Sequence, residues 1–293
     1  MNVIHIEMLD LPELAPYARL TEAQLLNRLH PEEGLFICES EKVIRVALAA
    51  GVKPLSFLCE EKFLPQVEKM CFDFNLNPSV PVYTAARSVL ASLTGYELSR
   101  GVLCAMHRPK LPGIAELLSS RPSGEIYKSK KSVDTPQAGE KKVRVAVMDS
   151  VVNSTNTGAI FRAAAAMGVD ALLLTRTCCD PLNRRACRVS MGTVFQIPWT
   201  YISSWYDPAL LQLRSEGFKT VALALTDRSV AIDDPVLKAP QKLAIIMGTE
   251  GDGLSDSVLQ QCDYVAKIPM HRGVDSLNVA AAASVAFYEL LRK

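Results

Sequence analysis

The sequence predicts an α/β protein of two domains, the second built on a parallel sheet. Three observations carry that prediction. Strand-like and helix-like patterns alternate along most of the chain. The strand candidates beyond residue 143 are apolar on both faces, as a parallel sheet covered by helices requires. A polar, Pro- and Gly-broken stretch separates the two patterned regions. The chain has 293 residues, 49% of them hydrophobic and only 6% aromatic, which is enough for two aliphatic cores and points away from a β-sandwich.

Residues 1–110 read as a small α/β domain. Residues 12–29 read as helical, with Leu14, Tyr17, Ala18, Leu25 and Leu26 forming a partial apolar face. Leu35 to Cys38 is a strand candidate, and Glu41 to Ala50 a helix stopped by Gly51. Leu55 to Cys59 is a second strand and Glu60 to Phe74 a helix. A turn-rich break over 75–81 precedes a short strand at Val82-Tyr83, a helix over 85–93 and a last strand over 101–106. Residues 111–142 form a polar, basic linker by composition, with one or two helical turns at its start. Such a linker is either simply solvated or a contact for RNA phosphates.

Residues 143–293 form the second domain. Strand candidates are 143–148, 171–174, 220–225, 243–247 and 264–268, and helices are expected at 158–167, 183–188, 208–216, 255–261 and 279–291. Formal net charge is +1 but unevenly spread: residues 1–120 carry 11 Lys/Arg against 14 Asp/Glu, 121–142 carry 6 against 3, and 143–293 carry 15 against 14. RNA binding would therefore depend on local patches rather than a global field. The eight cysteines show no C-x-x-C pair and no zinc-type cluster, so no metal is expected. They fit free thiols in a reducing, cytoplasmic protein. The first residues lack the pattern of a signal peptide, and no apolar run reaches the roughly 20 residues of a membrane span.

Ligands of open parallel sheets sit beyond the carboxyl ends of the strands, and three polar stretches follow strands here. In the first, 153–162, Asn156 is placed to cap the helix from Gly158, with Arg162 one turn in. In the second, 247–255, three glycines in six residues permit close backbone approach, and Glu250 stands at the tip. In the third, 267–278, Ser276 and Asn278 stand at the entry of the last helix. Each has a plain structural reading as well: caps, a tight turn, a surface arginine. If the loops converge, Arg162, Glu250, Ser276 and Asn278 supply a cation, a carboxylate and two neutral hydrogen-bonding groups. No nucleophile–His pair and no dinucleotide fingerprint accompany them, which disfavours a hydrolase and an NAD(P) oxidoreductase.

The three stretches read N-x-G-A-I-x-R at 156–162, G-x-E-G-x-G-L-S at 248–255 and I-P-M…S-L-N-V-A-x-A-A at 268–283. In this order and spacing they resemble the SpoU family of RNA ribose 2′-O-methyltransferases, within the SPOUT superfamily. Arg188-Val189-Ser190-Met191-Gly192 is similar to the family's Ser-x-Gly turn. Residues 20–108 look like its ribosomal-protein-like N-terminal RNA-binding domain, through Phe36 to Lys42 and Arg100 to Leu103. There are departures. Asn153-Ser154 stands where Asp-Pro is usual, and Glu39-Ser40-Glu41 where Glu-Gly-Glu is commoner.

The resemblance implies a SPOUT domain with a deep trefoil knot, S-adenosylmethionine as cofactor, ribosomal or transfer RNA as partner, and a homodimer. It implies cofactor contacts from Gly248, Ile268 and Leu277, with Thr226 a further candidate, and a catalytic set of Asn156, Arg162, Glu250, Ser276 and Asn278. Arg162 is implied as the base, but arginine's pKa above ~12 argues against proton abstraction. Anchoring a phosphate and lowering the hydroxyl's pKa is the alternative. Arg184, Arg185 and Arg188 lie at helical spacing, with 184 and 188 sharing a face. They are either an RNA patch or a solvated helix face. A non-catalytic RNA-binding or ribosome-assembly factor is the competing reading.

Overall fold

The computed structural model describes residues 1–91, 101–119, 142–202, 209–249, 251 and 253–292. Packing divides the chain into two units, residues 1–110 with 182–195, and residues 111–181 with 196–293. No helix among the described residues is long and apolar enough to cross a membrane.

The first unit is a mixed sheet of five strands: β1 (Asn2–His5), β2 (Leu35–Glu39), β3 (Pro54–Cys59), β4 (Pro81–Thr84) and β5 (Val102–His107), in the order β1-β4-β3-β5-β2. Helices α1 (Ala15–Ala18), α2 (Glu22–Leu26), α3 (Glu41–Ala49), α4 (Leu64–Asp73) and α5 (Arg87–Ala91) accompany it. The single helix expected over 12–29 is broken. Thr21 starts a new one, its side chain accepting from the Gln24 N–H while Gln24 returns a bond to the Thr21 N–H. β1 has no alternating pattern long enough to read in the sequence; it is recruited by pairing in parallel with β4. Ser40, between β2 and α3, has φ 85° and ψ 143°, a region that favours glycine. A serine is strained at this position where a glycine would not be.

Helix α6 (Ile114–Ser119) belongs to the second unit: buried Leu117 joins its core, with Ile114 and Leu118 packed against it. The rest of the basic stretch, 120–141, lies outside the described residues.

The second unit's sheet has seven strands: β6 (Val143–Met148), β7 (Ala171–Thr175), β8 (Trp199–Ile202), β9 (Lys219–Leu223), β10 (Val230–Ala231), β11 (Lys242–Met247) and β12 (Tyr264–Lys267). The order is β10-β12-β9-β11-β6-β7-β8, and every pair is parallel. Its helices are α7 (Ser154–Met167), α9 (Leu210–Ser215), α10 (Pro235–Lys238), α11 (Asp256–Gln261) and α12 (Val279–Leu291). β8 and β10 were not expected from the pattern; β8 carries Trp199 and Tyr201, and β10 is only two residues long. α8 (Arg184–Val189) packs with the first unit instead.

The amino edge of this sheet is fastened by polar side chains. Arg144 is 3% exposed. Its guanidinium donates to the carbonyls of Leu290 (3.3 Å), Val143 (3.0 Å), Gln241 (3.1 Å) and Pro240 (3.0 Å), tying β6 to the end of α12 and the approach to β11. The Asp263 carboxylate accepts from the Thr220 N–H (3.0 Å) and hydroxyl (2.8 Å) and from Lys219 Nζ (2.8 Å), joining the starts of β9 and β12.

Candidate functional site

Two asparagines organise the carboxyl edge. Asn278 is the N-cap of α12: its Oδ1 accepts from the N–H groups of Ala280 (3.0 Å) and Ala281 (3.4 Å). Its Nδ2 donates to Asn156 Oδ1 at 3.1 Å, so one amide both starts α12 and grips α7. Asn156 does not cap α7, contrary to the sequence expectation. The helix begins earlier, and Asn153 caps it, accepting from the N–H groups of Thr155 (2.8 Å) and Asn156 (3.2 Å). Asn156 is therefore released from capping and sits buried in the first turn.

Beside this pair lies a crevice of about 310 Å³ across the carboxyl ends of three neighbouring strands, β9, β11 and β12. Leu223, Leu225, Ile268, Met270 and Leu277 give it aliphatic walls, and Gly248, Thr249, Gly251 and Gly253 give it a backbone floor. The floor admits no side chain at one point: a Cβ on Gly248 would lie 2.5 Å from the Gly253 carbonyl oxygen and 2.8 Å from the Leu254 nitrogen. Thr249 bridges to Gly253, which takes φ 67° to close the turn. Opposite, the 271–274 turn has positive φ at both central residues, Arg272 (60°) and Gly273 (70°), and returns the chain towards Ser276.

Of the residues singled out in the sequence, Gly248, Ile268, Leu277 and Ser276 line this crevice. Thr226 does not. Strand β9 ends at Leu223, and Thr226 folds into a turn in which its N–H donates to Ser229 Oγ at 2.8 Å. Leu223, Leu225, Met270 and Asp275 were missed; the alternation of Leu223 and Leu225 at the end of a strand was the available signal. Arg162 is exposed on α7, two turns beyond its start rather than one. Glu250 lies outside the described residues.

The three arginines of α8 are placed in a way neither sequence reading contained. Arg184 Nε (3.0 Å) and Arg188 Nη1 (3.1 and 3.2 Å) donate to the carboxylate of Glu39, which is 2% exposed. Their shared face is thus turned to a buried carboxylate of the first unit, and Arg185 alone of the three is exposed. The Ser190–Gly192 turn that follows is structural: Ser190 Oγ accepts from the Gly192 N–H at 3.1 Å, and a Cβ on Gly192 would lie 2.9 Å from Val46.

None of the eight cysteines is in a disulfide. Burial pushes the Cys59 thiol up to about 12 and the Cys262 thiol up to about 11. Such groups remain neutral and pack as small hydrophobes.

An open parallel sheet with a glycine-floored crevice at its carboxyl edge, clasped by two Asn-bearing helix starts, defines an α/β ligand-binding domain of the kind that holds a small cofactor beside its substrate. The model of the SpoU rRNA methylase family matches residues 143–288. An uncharacterized tRNA/rRNA methyltransferase of Mycobacterium tuberculosis (strain ATCC 25618 / H37Rv) is 32% identical over 97% of this chain and 90% of its own. The chain belongs to the SpoU rRNA methylase family. The fold is shared with an AdoMet-bound rRNA methyltransferase from Sinorhizobium meliloti, at TM-score 0.75 and 23% identity over 98% of this chain and 97% of that one. It is also shared with an RNA 2′-O ribose methyltransferase, at TM-score 0.70 and 22% identity over 98% of each chain.

Proposed function

We propose that the protein transfers a methyl group from S-adenosylmethionine to a ribose 2′-hydroxyl of a structured ribosomal or transfer RNA. The observation that carries this reading is the crevice itself. Its aliphatic walls suit an adenine, its glycine floor suits close backbone contact, and Ser276 on its lining stands next to the Asn156–Asn278 clasp. A volume of about 310 Å³ is at the small end for such a ligand. Gly248, Ile268 and Leu277 would hold the cofactor, with Thr226, next to the lining residue Leu225 and turned to Ser229, the further candidate.

When bound, S-adenosylmethionine supplies a methyl group already activated by a sulfonium charge. The protein's task is then alignment and management of one proton. The Asn156–Asn278 bond fixes the starts of α7 and α12 against each other, so Ser276 is delivered to the substrate from a rigid base. Arg162, exposed and cationic, serves best as an anchor for the RNA phosphate, stabilising the developing alkoxide electrostatically. Glu250 is assigned to this set by its motif alone. Arg162→Ala should lose activity across the pH range, and Arg162→Lys should restore part of it. Unimpaired turnover in the Ala variant would remove Arg162 from the mechanism.

The same reading extends to the assembly. α12 presents Ala281, Val285 and Tyr288 to solvent at helical spacing, an apolar stripe that supports a homodimer. The trefoil knot is proposed with the family resemblance, for the segments around 247–255 and 264–278. The first unit is proposed as the RNA-binding domain, and the free thiols favour a cytoplasmic setting. The direct test is mapping of ribose 2′-O-methylation in RNA from a strain lacking this protein and from its complemented control. One site lost and restored is expected. An unchanged map, with RNA still bound by the purified protein, would favour the non-catalytic assembly-factor reading.

A further inference from the structure

Arg176 and Tyr201 form a feature that the proposed chemistry does not use. Arg176 follows β7 directly and is exposed; its guanidinium lies 5.6 Å from the centroid of the Tyr201 ring on the neighbouring edge strand β8. The ring is held from behind. Tyr201 donates to Asp180 Oδ1 at 3.2 Å and meets Trp199 edge-on at 5.5 Å and 89°, and Trp199 meets Phe161 of α7 edge-on at 5.9 Å and 89°. Trp199 and Phe161 are buried, so the ladder is anchored in the core. Trp199 and Tyr201 stand two residues apart in a strand and share a sheet face, the face on which α7 packs.

An exposed cation–π pair contributes only about 0.5–1 kcal/mol, so stability alone is a weak reason for this arrangement. Its geometry has a better one. A guanidinium held within cation–π reach of an immobilised ring is partly pre-ordered, which lowers the entropy lost when a flat group stacks on it. It stands at the carboxyl edge of the sheet, on the α7 face, and α7 also carries Asn156 and Arg162. In the loops after β6 and β7, Ser150 Oγ and Thr177 Oγ1 lie 2.8 Å apart, and Thr177, next in sequence to Arg176, is exposed.

We infer that Arg176, seated on Tyr201, is a stacking platform for an unpaired nucleobase of the RNA flanking the nucleotide that is modified. The inference rests on RNA being the substrate. Bases splayed from loops are recognised by stacking on aromatic rings and guanidinium planes, with about 1–3 kcal/mol lost per stack removed. The platform would thus make the enzyme prefer single-stranded or looped RNA at this position.

The test uses the full chain and a short single-stranded RNA carrying one 2-aminopurine, beside the same RNA with an abasic site there. Binding is read by anisotropy and stacking by quenching of the base's fluorescence. The wild type should bind the base-containing RNA more tightly than the abasic one and quench it. Arg176→Ala should weaken binding on the order of tenfold and abolish quenching. Arg176→Lys, which keeps the charge without the plane, should resemble Ala, and Tyr201→Phe should stay close to wild type. Lys behaving as wild type, equal binding of the abasic RNA, or no binding at all overturns the platform. S-adenosylmethionine titrated into the same proteins separates the two ideas. Absent cofactor binding in the wild type counts against methyl transfer and leaves the stacking result standing.

Discussion

At the amino edge of the second sheet, Arg144 donates to four backbone carbonyls from inside the protein, and Asp263 is held by Thr220 and Lys219. At the carboxyl edge, Arg162, Ser276 and Asn278 are exposed, and the backbone, not side chains, forms the floor of the crevice. Both edges belong to one sheet and both carry Arg, Asp and Thr. The difference is commitment. Polar groups at the amino edge are saturated by partners of the same chain, so they fix the fold. At the carboxyl edge Asn278 spends its amide on the start of α12 and on Asn156, while Arg162 and Ser276 stand exposed beside a crevice floored by backbone.

Mutations at the two edges should therefore separate stability from binding. The largest effect is expected from Arg144→Ala, which removes a buried guanidinium and the four donated bonds that tie β6 to α12 and to the approach to β11. It should lower unfolding free energy by about 3–5 kcal/mol in a denaturant titration. The protein that remains folded should bind S-adenosylmethionine normally. A near-neutral result would mean that the carbonyls find water. Gly248→Ala should do the reverse. Its Cβ collides with backbone at Gly253, so the floor must deform. Affinity for S-adenosylmethionine should fall on the order of a hundredfold, with the melting temperature shifted far less than in the Arg144 variant.

Asn278→Ala sits between the two behaviours. It removes a cap worth about 1 kcal/mol and the link to Asn156. Turnover should fall more steeply than stability, and a variant that only melts earlier would reduce Asn278 to a cap. The smallest effect is expected from pH. Burial raises the Asp263 pKa, but the hydrogen bonds from Lys219 and Thr220 outweigh it and leave the pKa below its usual value. A depressed carboxylate stabilises fully above the unfolded value near ~3.9 and loses that contribution as pH falls through the folded one. Stability measured from about pH 5 downward should decline less in Asp263→Asn than in wild type, by less than about 1 kcal/mol because the group is partly solvated.

The crevice was legible in the sequence because backbone requirements leave a trace. Glycines at 248, 251 and 253 and the Ser276–Asn278 entry mark loops that only a few residue types can form. Side-chain partnerships left no such trace. The spacing of Arg184 and Arg188 put them on one face but did not reveal Glu39, far away in sequence, as their common partner. Asn153 and Asn156 were equally good caps by type, and only the start of the helix decided between them. Strand β8 escaped because it is short and its aromatics read as an irregular run. Ser40 shows the converse. It was visible as a departure from a glycine, but its meaning needed φ 85°.

The carboxyl-edge crevice is proposed to hold S-adenosylmethionine through Gly248 and its neighbours. Calorimetric titration of S-adenosylmethionine, with NADH as control, into wild type, Gly248→Ala and Arg144→Ala tests it most directly. Saturable binding of S-adenosylmethionine to wild type and Arg144→Ala, strong weakening in Gly248→Ala, and no heat from NADH are expected. Wild type that ignores S-adenosylmethionine, or a Gly248→Ala variant that binds it as wild type does, would contradict that proposal.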